Sequence, residues 1–120
     1  MTDIIAEVFE IVERRRAERE PGSYTAYLFD QGLDKILKKL GEECAETVIA
    51  AKNLEQRRAG SGQAEEAEAA LTGEMADLVY HLAVLMSASG VRPEALAALL
   101  RERMTRTGNL KPGHGTDRNT

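Results

Sequence analysis

Tryptophan is missing from the 120-residue chain, aromatic residues make up only 4% of it, and cysteine occurs once. The lone Cys44 excludes an internal disulfide, and a cytoplasmic protein is the default expectation. Positive charge is in the minority: 16 Lys and Arg stand against 20 Asp and Glu, for a formal charge of -4 and a pI of about 5.3. That balance lacks the basic footprint of a nucleic-acid or membrane-surface binder, so the expected partners are small molecules, metal ions or protein. No uninterrupted apolar run approaches the roughly 20 residues of a membrane span, and the opening Met1-Thr2-Asp3 lacks the basic segment of a secretory signal. Ile and Val fill 11 positions whereas Ala and Leu fill 30, which favours helix over strand. With 42% hydrophobic and 30% charged residues, the chain has the apolar content for a core and the length for one domain, expected over residues 1–104. Neither a second domain nor a disordered chain fits.

What is present is helical periodicity. Ile4, Ile5, Val8, Phe9, Ile11 and Val12 recur at helical spacing behind Thr2, a good cap, and the pattern stops at Pro21-Gly22. Residues 23–32 hold two of the three tyrosines and read as an ordered loop or a single short turn. A second helix is expected from about Leu33 to Arg58, with Leu33, Ile36, Leu37, Leu40, Cys44, Val48 and Ala51 as its core stripe. Cys44 is thereby expected in the interior. After the break at Gly60-Ser61-Gly62, a third helix over about Gln63 to Ser87 carries Leu71, Met75, Leu78, Leu82 and Leu85 in a tighter row suited to packing on another helix. Gly90 ends it. A fourth helix opens with Pro93 and presents Leu96, Leu99, Leu100 and Met104. From Thr105 the chain is polar and rich in Gly, and residues 105–120 read as a mobile tail. The fold expectation is all-α: an antiparallel helical hairpin with flanking helices.

Acidic residues cluster on the two hairpin helices. At about 100° per residue, Glu43 and Glu46 lie about 60° apart, Glu42 and Glu46 about 40°, and Glu74 and Asp77 about 60°. Folding the hairpin about residue 60 brings Glu46 level with Glu74 and Glu43 level with Asp77. A solvated acidic face, with Lys38-Glu42 and Lys39-Glu43 as ion pairs, is the plainer reading. Against it, Lys before Glu is the poorer orientation of such a pair, and Glu74 borders the apolar row rather than opposing it. Several carboxylates at a core edge cannot all stay ionised without cations. Oxygen-only ligands suit Mg²⁺, with Mn²⁺ as a substitute, and five acids are too many for one ion. The excess charge suits a polyphosphate delivered with metal. A di-iron bundle would need Glu-x-x-His on two helices, and the residue three before His81 is Leu78. Lys35 and Lys39 share the face of Glu42 and Glu46 within about 60° and are candidates to meet phosphates, against ordinary surface solvation.

E-E-x-x-E followed by E-x-x-D on the next helix resembles the signature of the all-α nucleoside triphosphate pyrophosphatases, the MazG-like superfamily. More closely, Ser23-Tyr24-Thr25, Leu28, Gly32, Lys35-Ile36-Leu37-Lys38-Lys39, Gly41-Glu42-Glu43, Ala50-Ala51-Lys52-Asn53 and residues Ala76 to Leu82 resemble the phosphoribosyl-ATP pyrophosphohydrolase family of histidine biosynthesis. The similarity covers about residues 1 to 100. It departs in a longer 54–73 linker, in Cys44 where a smaller residue is common, and in the tail. The resemblance implies hydrolysis of phosphoribosyl-ATP between its α- and β-phosphates, giving phosphoribosyl-AMP and pyrophosphate. Glu43, Glu46, Glu74 and Asp77 would hold the metal, and Glu42 is the candidate for orienting or deprotonating the attacking water, with a ligand role as its alternative. Lys52 and Asn53 enter as substrate contacts through the family pattern alone. Tyr24 and Thr25 are candidates for the base or ribose site, against plain loop packing. His81, four residues after Asp77, is a candidate partner of that carboxylate, against a structural role.

Apolar rows on both hairpin helices leave surface uncovered, so a homodimer is expected in which two hairpins form a four-helix arrangement. Two rival readings are a housekeeping pyrophosphatase acting on ordinary or damaged nucleotides, and a non-catalytic helical interaction protein whose acids are merely solvated.

Overall fold

A computed structural model describes residues 3–60 and 62–105, and within them every regular element is helical. The tail beyond Thr105 lies outside the described residues. The first helix, α1, spans Ile4–Ala17. Its cap is Asp3 rather than the expected Thr2, which lies outside the described residues: the Asp3 carboxylate accepts from the amides of Ile5 and Ala6 at 3.1 and 3.3 Å. The helix stops short of Pro21, with Arg14, Arg15 and Arg16 in its last turn, where cations oppose the unpaired carbonyls.

Residues expected as loop form an eight-residue helix, α2 (Tyr24–Gln31). Ser23 caps it by accepting from the Ala26 amide at 3.2 Å, and Gly32, at a φ of 94° that only glycine adopts without strain, turns the chain into the next helix. So short a helix does not persist alone in water. Thr25, Ala26 and Leu28 hold it by burial between α1 and α3.

The hairpin is α3 (Leu33–Ala59) and α4 (Ala64–Ser89), the most extensively packed pair in the molecule. The segment 54–73 is therefore no linker: most of it extends these two helices, with Leu54 and Ala67 buried between them. Helix α4 ends at Gly90 (φ 76°), where the Val91 and Gly90 amides donate back to the carbonyls of Met86 and Ser87 at 3.0 and 3.4 Å. Helix α5 (Pro93–Met104) opens with proline and touches α1 only lightly.

Burial marks a heptad seam that keeps Ile36, Leu40, Leu71, Leu78 and Leu85 of the expected rows and departs from their other members. On α3 the covered positions run Ile36, Leu40, Glu43, Thr47, Ala50 and Leu54, and on α4 Ala67, Leu71, Glu74, Leu78, His81 and Leu85. These alternate steps of four and three, the spacing that keeps two antiparallel helices facing one another. Leu37, Cys44, Val48 and Ala51 follow the seam by one residue and are exposed, Val48 at 63%. Cys44 is thus not a core residue. Met75, Val79 and Leu82 occupy the equivalent row on α4, at 49%, 36% and 43% exposure. Because the helices run antiparallel, both rows turn to the same side of the hairpin.

The core lies at the hairpin end away from the 60–63 turn, where Val12 of α1, Leu28 of α2, Ile36 of α3 and Ala83 and Val84 of α4 meet. By length and composition α4 is apolar enough to cross a membrane, with mean hydropathy 1.2 over an 18-residue stretch. Its apolar residues divide between the seam, the α1-facing core and the outward row, and Glu74 and Asp77 sit mid-helix.

Candidate active site

Opposite the apolar row, one residue before the seam, lies a largely polar face, broken on α3 by the exposed Ile49: Lys35, Lys39, Glu42, Glu46 and Asn53 on α3, and Asp77 and Tyr80 on α4. Here the hairpin brings Glu43, Glu46 and Glu74 together, with one oxygen from each within 4.8 Å of the others. Glu43 is 7% exposed and Glu74 half-buried. In each, Oε2 is enclosed by protein and has no hydrogen-bond partner among the described residues. Thr47, a seam residue unremarked in the sequence, ties the two helices here by donating its hydroxyl to the carbonyls of Glu43 at 2.8 Å and Glu74 at 3.5 Å.

Electrostatics follow from that crowding. Burial pushes the Glu43 carboxyl above the usual carboxylate range, and the nearby charges of Glu46 and Asp77 push the same way against the opposing influence of His81. Burial likewise raises Glu74, reinforced by Glu46, Glu43 and Asp77. Asp77 is close enough to act on both, yet its carboxylate is outside the tight trio. Two orphaned oxygens in a set of three acids are what a hard divalent cation would satisfy, so the residues fit Mg²⁺ or Mn²⁺.

Glu42 stands apart from the trio, half-buried and accepting from Lys39 Nζ at 3.0 Å. That hydrogen bond holds its pKa below the usual carboxylate value. Lys39 is thereby engaged, while Lys35 places its ammonium over the Tyr27 ring, 5.9 Å from the centroid. Lys52 does not join the site: it is exposed and paired with Glu55. Asn53, seven residues beyond Glu46, lies about 10 Å further along α3 and lines a separate small hollow with Arg57 and Glu66.

The loop-turned-helix α2 supplies the other wall. Tyr24 packs edge-on against His81, and its hydroxyl lies 2.8 Å from His81 Nε2. His81 Nδ1 lies 2.7 Å from the Asp77 carbonyl oxygen, so the bond expected to the Asp77 carboxylate goes to its backbone instead. A carbonyl only accepts, so Nδ1 carries the proton, and in the neutral ring Nε2 accepts from Tyr24. Burial, with Glu43 and Glu42 nearby, raises the Tyr24 pKa against the opposing charge of Lys39, so the hydroxyl keeps its proton. Thr25 is 1% exposed, with its hydroxyl 2.5 Å from that of Tyr80. Tyr80 in turn accepts from Arg15 Nη1 at 2.7 Å. Sequence reasoning missed Tyr80, although its place three residues after Asp77 sets it on the same helix face. Nothing in the spacing marked Arg15.

A family model described as phosphoribosyl-ATP pyrophosphohydrolase matches residues 5–104. Among curated relatives, the chain is 54% identical over 101 residues to the phosphoribosyl-ATP pyrophosphatase of Pelotomaculum thermopropionicum, covering 84% of this chain and 91% of the relative. It is 48% identical over 101 residues to that of Streptococcus thermophilus, covering 84% and 85%, and 37% identical over 110 residues to that of Clostridium novyi, covering 92% and 89%. The expected resemblance holds across all five helices, and the chain belongs to the phosphoribosyl-ATP pyrophosphohydrolase family.

Proposed function

We infer that this chain hydrolyses the α–β phosphoanhydride of phosphoribosyl-ATP, releasing phosphoribosyl-AMP and pyrophosphate in histidine biosynthesis. The observation that carries this is the match to its family over residues 5–104. Pyrophosphate release from phosphoribosyl-ATP, compared with dCTP and dUTP, tests it: a rate on phosphoribosyl-ATP no greater than on the deoxynucleotides would refute the assignment.

Glu43, Glu46 and Glu74 would hold the metal, with Asp77 as a fourth acid beside them. Mg²⁺ bound there would neutralise the polyphosphate and lower the pKa of an attacking water. Glu42, kept ionised by Lys39, is placed to orient that water rather than to hold a proton for long. Lys39 and Lys35 line the approach for phosphate oxygens, and Tyr24, fixed by His81, walls the site on the α2 side. Lys52 and Asn53 would meet substrate only at its far end, given their distance along α3. ATP-derived substrate and free Mg²⁺ both favour a cytoplasmic setting.

Protons and metal compete for the trio. A carboxyl whose folded pKa is raised stabilises the fold fully below its unfolded pKa and loses that contribution as pH rises through the folded value. The metal-free protein therefore loses stability from Glu43 and Glu74 as pH climbs above the usual carboxylate range, and Mg²⁺ restores it. Glu42 shifts the other way, held down by its hydrogen bond to Lys39. Thermal unfolding should show a Mg²⁺-induced rise in Tm of about 10–20 °C at neutral pH when the ion is at about a hundred times its Kd. That rise should shrink as pH falls toward the carboxylate range. A rise independent of pH would place the ion elsewhere.

The exposed row of Leu37, Cys44, Val48, Met75, Val79 and Leu82 is matched to a second copy of itself: it is continuous, nearly charge-free and narrow at Gly41. Two hairpins joined there form the four-helix arrangement and leave both carboxylate faces outward. Sedimentation should give a homodimer at micromolar concentration, and Val48→Glu with Val79→Glu should give a monomer. A monomeric wild type would contradict the pairing.

A further inference from the structure

The site described so far accounts for one end of the substrate. Phosphoribosyl-ATP carries a second anionic end, the phosphate of its phosphoribosyl group. Beside Tyr24 opens a cleft of about 630 Å³ between α1, the start of α2 and Tyr80, a volume in the ordinary range for a small-molecule site. Its wall on α1 is one helix face, with Arg14, Arg15 and Glu18 turned into it. Ser23, Thr25 and Tyr80 add hydroxyls, and Glu20 a second carboxylate.

Two of its features are unspent. Of the three consecutive arginines, Arg16 is engaged with Glu13, Ser87 and the Phe29 ring. Among the described residues neither Arg14 nor Arg15 has a carboxylate within ion-pair distance, although Glu18 and Glu20 line the same cleft. Arg15 is moreover aimed, since Tyr80, itself tied to Thr25, accepts from its Nη1. Unpaired guanidinium groups favour phosphate, and free carboxylates beside them suit the vicinal hydroxyls of a ribose. Cations, carboxylates and hydroxyls in one cleft are the complement of a ribose phosphate.

We propose that this cleft binds the phosphoribosyl end of the substrate, with Arg14 and Arg15 receiving its phosphate and Glu18 or Glu20 its ribose hydroxyls. The proposal rests on the phosphoribosyl-ATP reading and adds how this substrate is told from nucleoside triphosphates that end at the base. Tyr24 joins the two regions, bordering the cleft on one side and facing Glu43 and Lys39 on the other.

Kinetics and ligand competition on the full chain test it. Arg14→Ala should raise KM for phosphoribosyl-ATP about 10- to 50-fold with kcat within about threefold, the loss expected of one charge-assisted contact. Arg14→Lys should fall between wild type and Arg14→Ala. Ribose 5-phosphate should compete with substrate in the wild type, and raise its Tm without Mg²⁺, whereas ribose should do neither. In Arg14→Ala both effects should weaken at least tenfold. If the wild type hydrolyses phosphoribosyl-ATP but Arg14→Ala keeps its KM and ribose 5-phosphate neither competes nor stabilises, the cleft assignment is overturned and the reaction stands. A wild type that ignores phosphoribosyl-ATP overturns the reaction itself and this inference with it.

Discussion

Glu46→Gln and Glu74→Gln should each lower kcat/KM for phosphoribosyl-ATP by about 10³-fold or more while leaving the helical circular-dichroism signal intact. The size follows from what a bound cation supplies: several kcal/mol of stabilisation for charge developing on phosphate, at about 1.36 kcal/mol per tenfold in rate. An amide keeps the shape of the carboxylate but halves its use as a ligand and removes its charge. The fold should survive because neither side chain contributes to the apolar core, and metal-free protein should become more stable, not less. Burial and mutual repulsion raise the Glu74 pKa, so a neutral group at 74 relieves a strain that the native protein carries for the sake of the site. The two readouts together are diagnostic. A variant that loses activity while its metal-free Tm rises marks a site acid, whereas loss of both would mark a structural one. Full activity in the double variant would remove the trio from the chemistry.

How far the chain could be read without coordinates depends on what each signal measures. The hairpin was legible because its helices are long, and a symmetric arrangement about residue 60 suffices to bring Glu46 level with Glu74. The helix ends at Ala59 and Ser89 fall within a residue or two of expectation, since glycines 60 and 90 mark them. The expected rows were right at Ile36, Leu40, Leu71, Leu78 and Leu85 and drifted off the seam at the middle of each helix for a physical reason. Leu37, Cys44 and Val48 are the more hydrophobic choice, yet the buried row holds Glu43, Thr47 and Ala50. Hydrophobicity alone finds the greasiest stripe, and here that stripe faces outward while the seam is diluted by a functional acid and the threonine that braces it. Disagreement between pattern and burial at Glu43 is thus itself a mark of the site. Cys44 followed the stripe and was misplaced with it. Lys52 was carried by the family pattern alone, and its pairing with Glu55 puts it off the carboxylate set. Helix α2 was missed because eight residues between Gly22 and Gly32 give no period to read. Its existence depends on partners distant in sequence.

That dependence makes Leu28 the position where stability and substrate binding meet. Its side chain is fully enclosed among Val12, Ile36, Ala83 and Val84, and it is the largest fully buried side chain of α2, with Phe29 packed more openly beside it. Leu28→Ala removes three carbons from a site that α1, α3 and α4 hold open, so the cavity cannot close, and a cost of about 3–4 kcal/mol is expected. For a domain of this size that is a fall in Tm of about 12–25 °C, measurable by calorimetry against the wild type. The functional effect should be selective. Glu43, Glu46 and Glu74 stand on the hairpin beyond Ile36, the seam residue that Leu28 touches, so the Mg²⁺-induced Tm rise should persist. Tyr24 and Thr25 stand on α2, with hydrogen bonds to His81 and Tyr80 of α4, and loosening the helix loosens the wall they form. KM for phosphoribosyl-ATP should therefore rise about tenfold well below the new Tm, with kcat changed less, as expected when positioning groups lose their support. Loss of Mg²⁺ binding along with substrate affinity would instead mean that α2 shapes the carboxylate set itself, and that hairpin and flanking helices form one cooperative unit at the site.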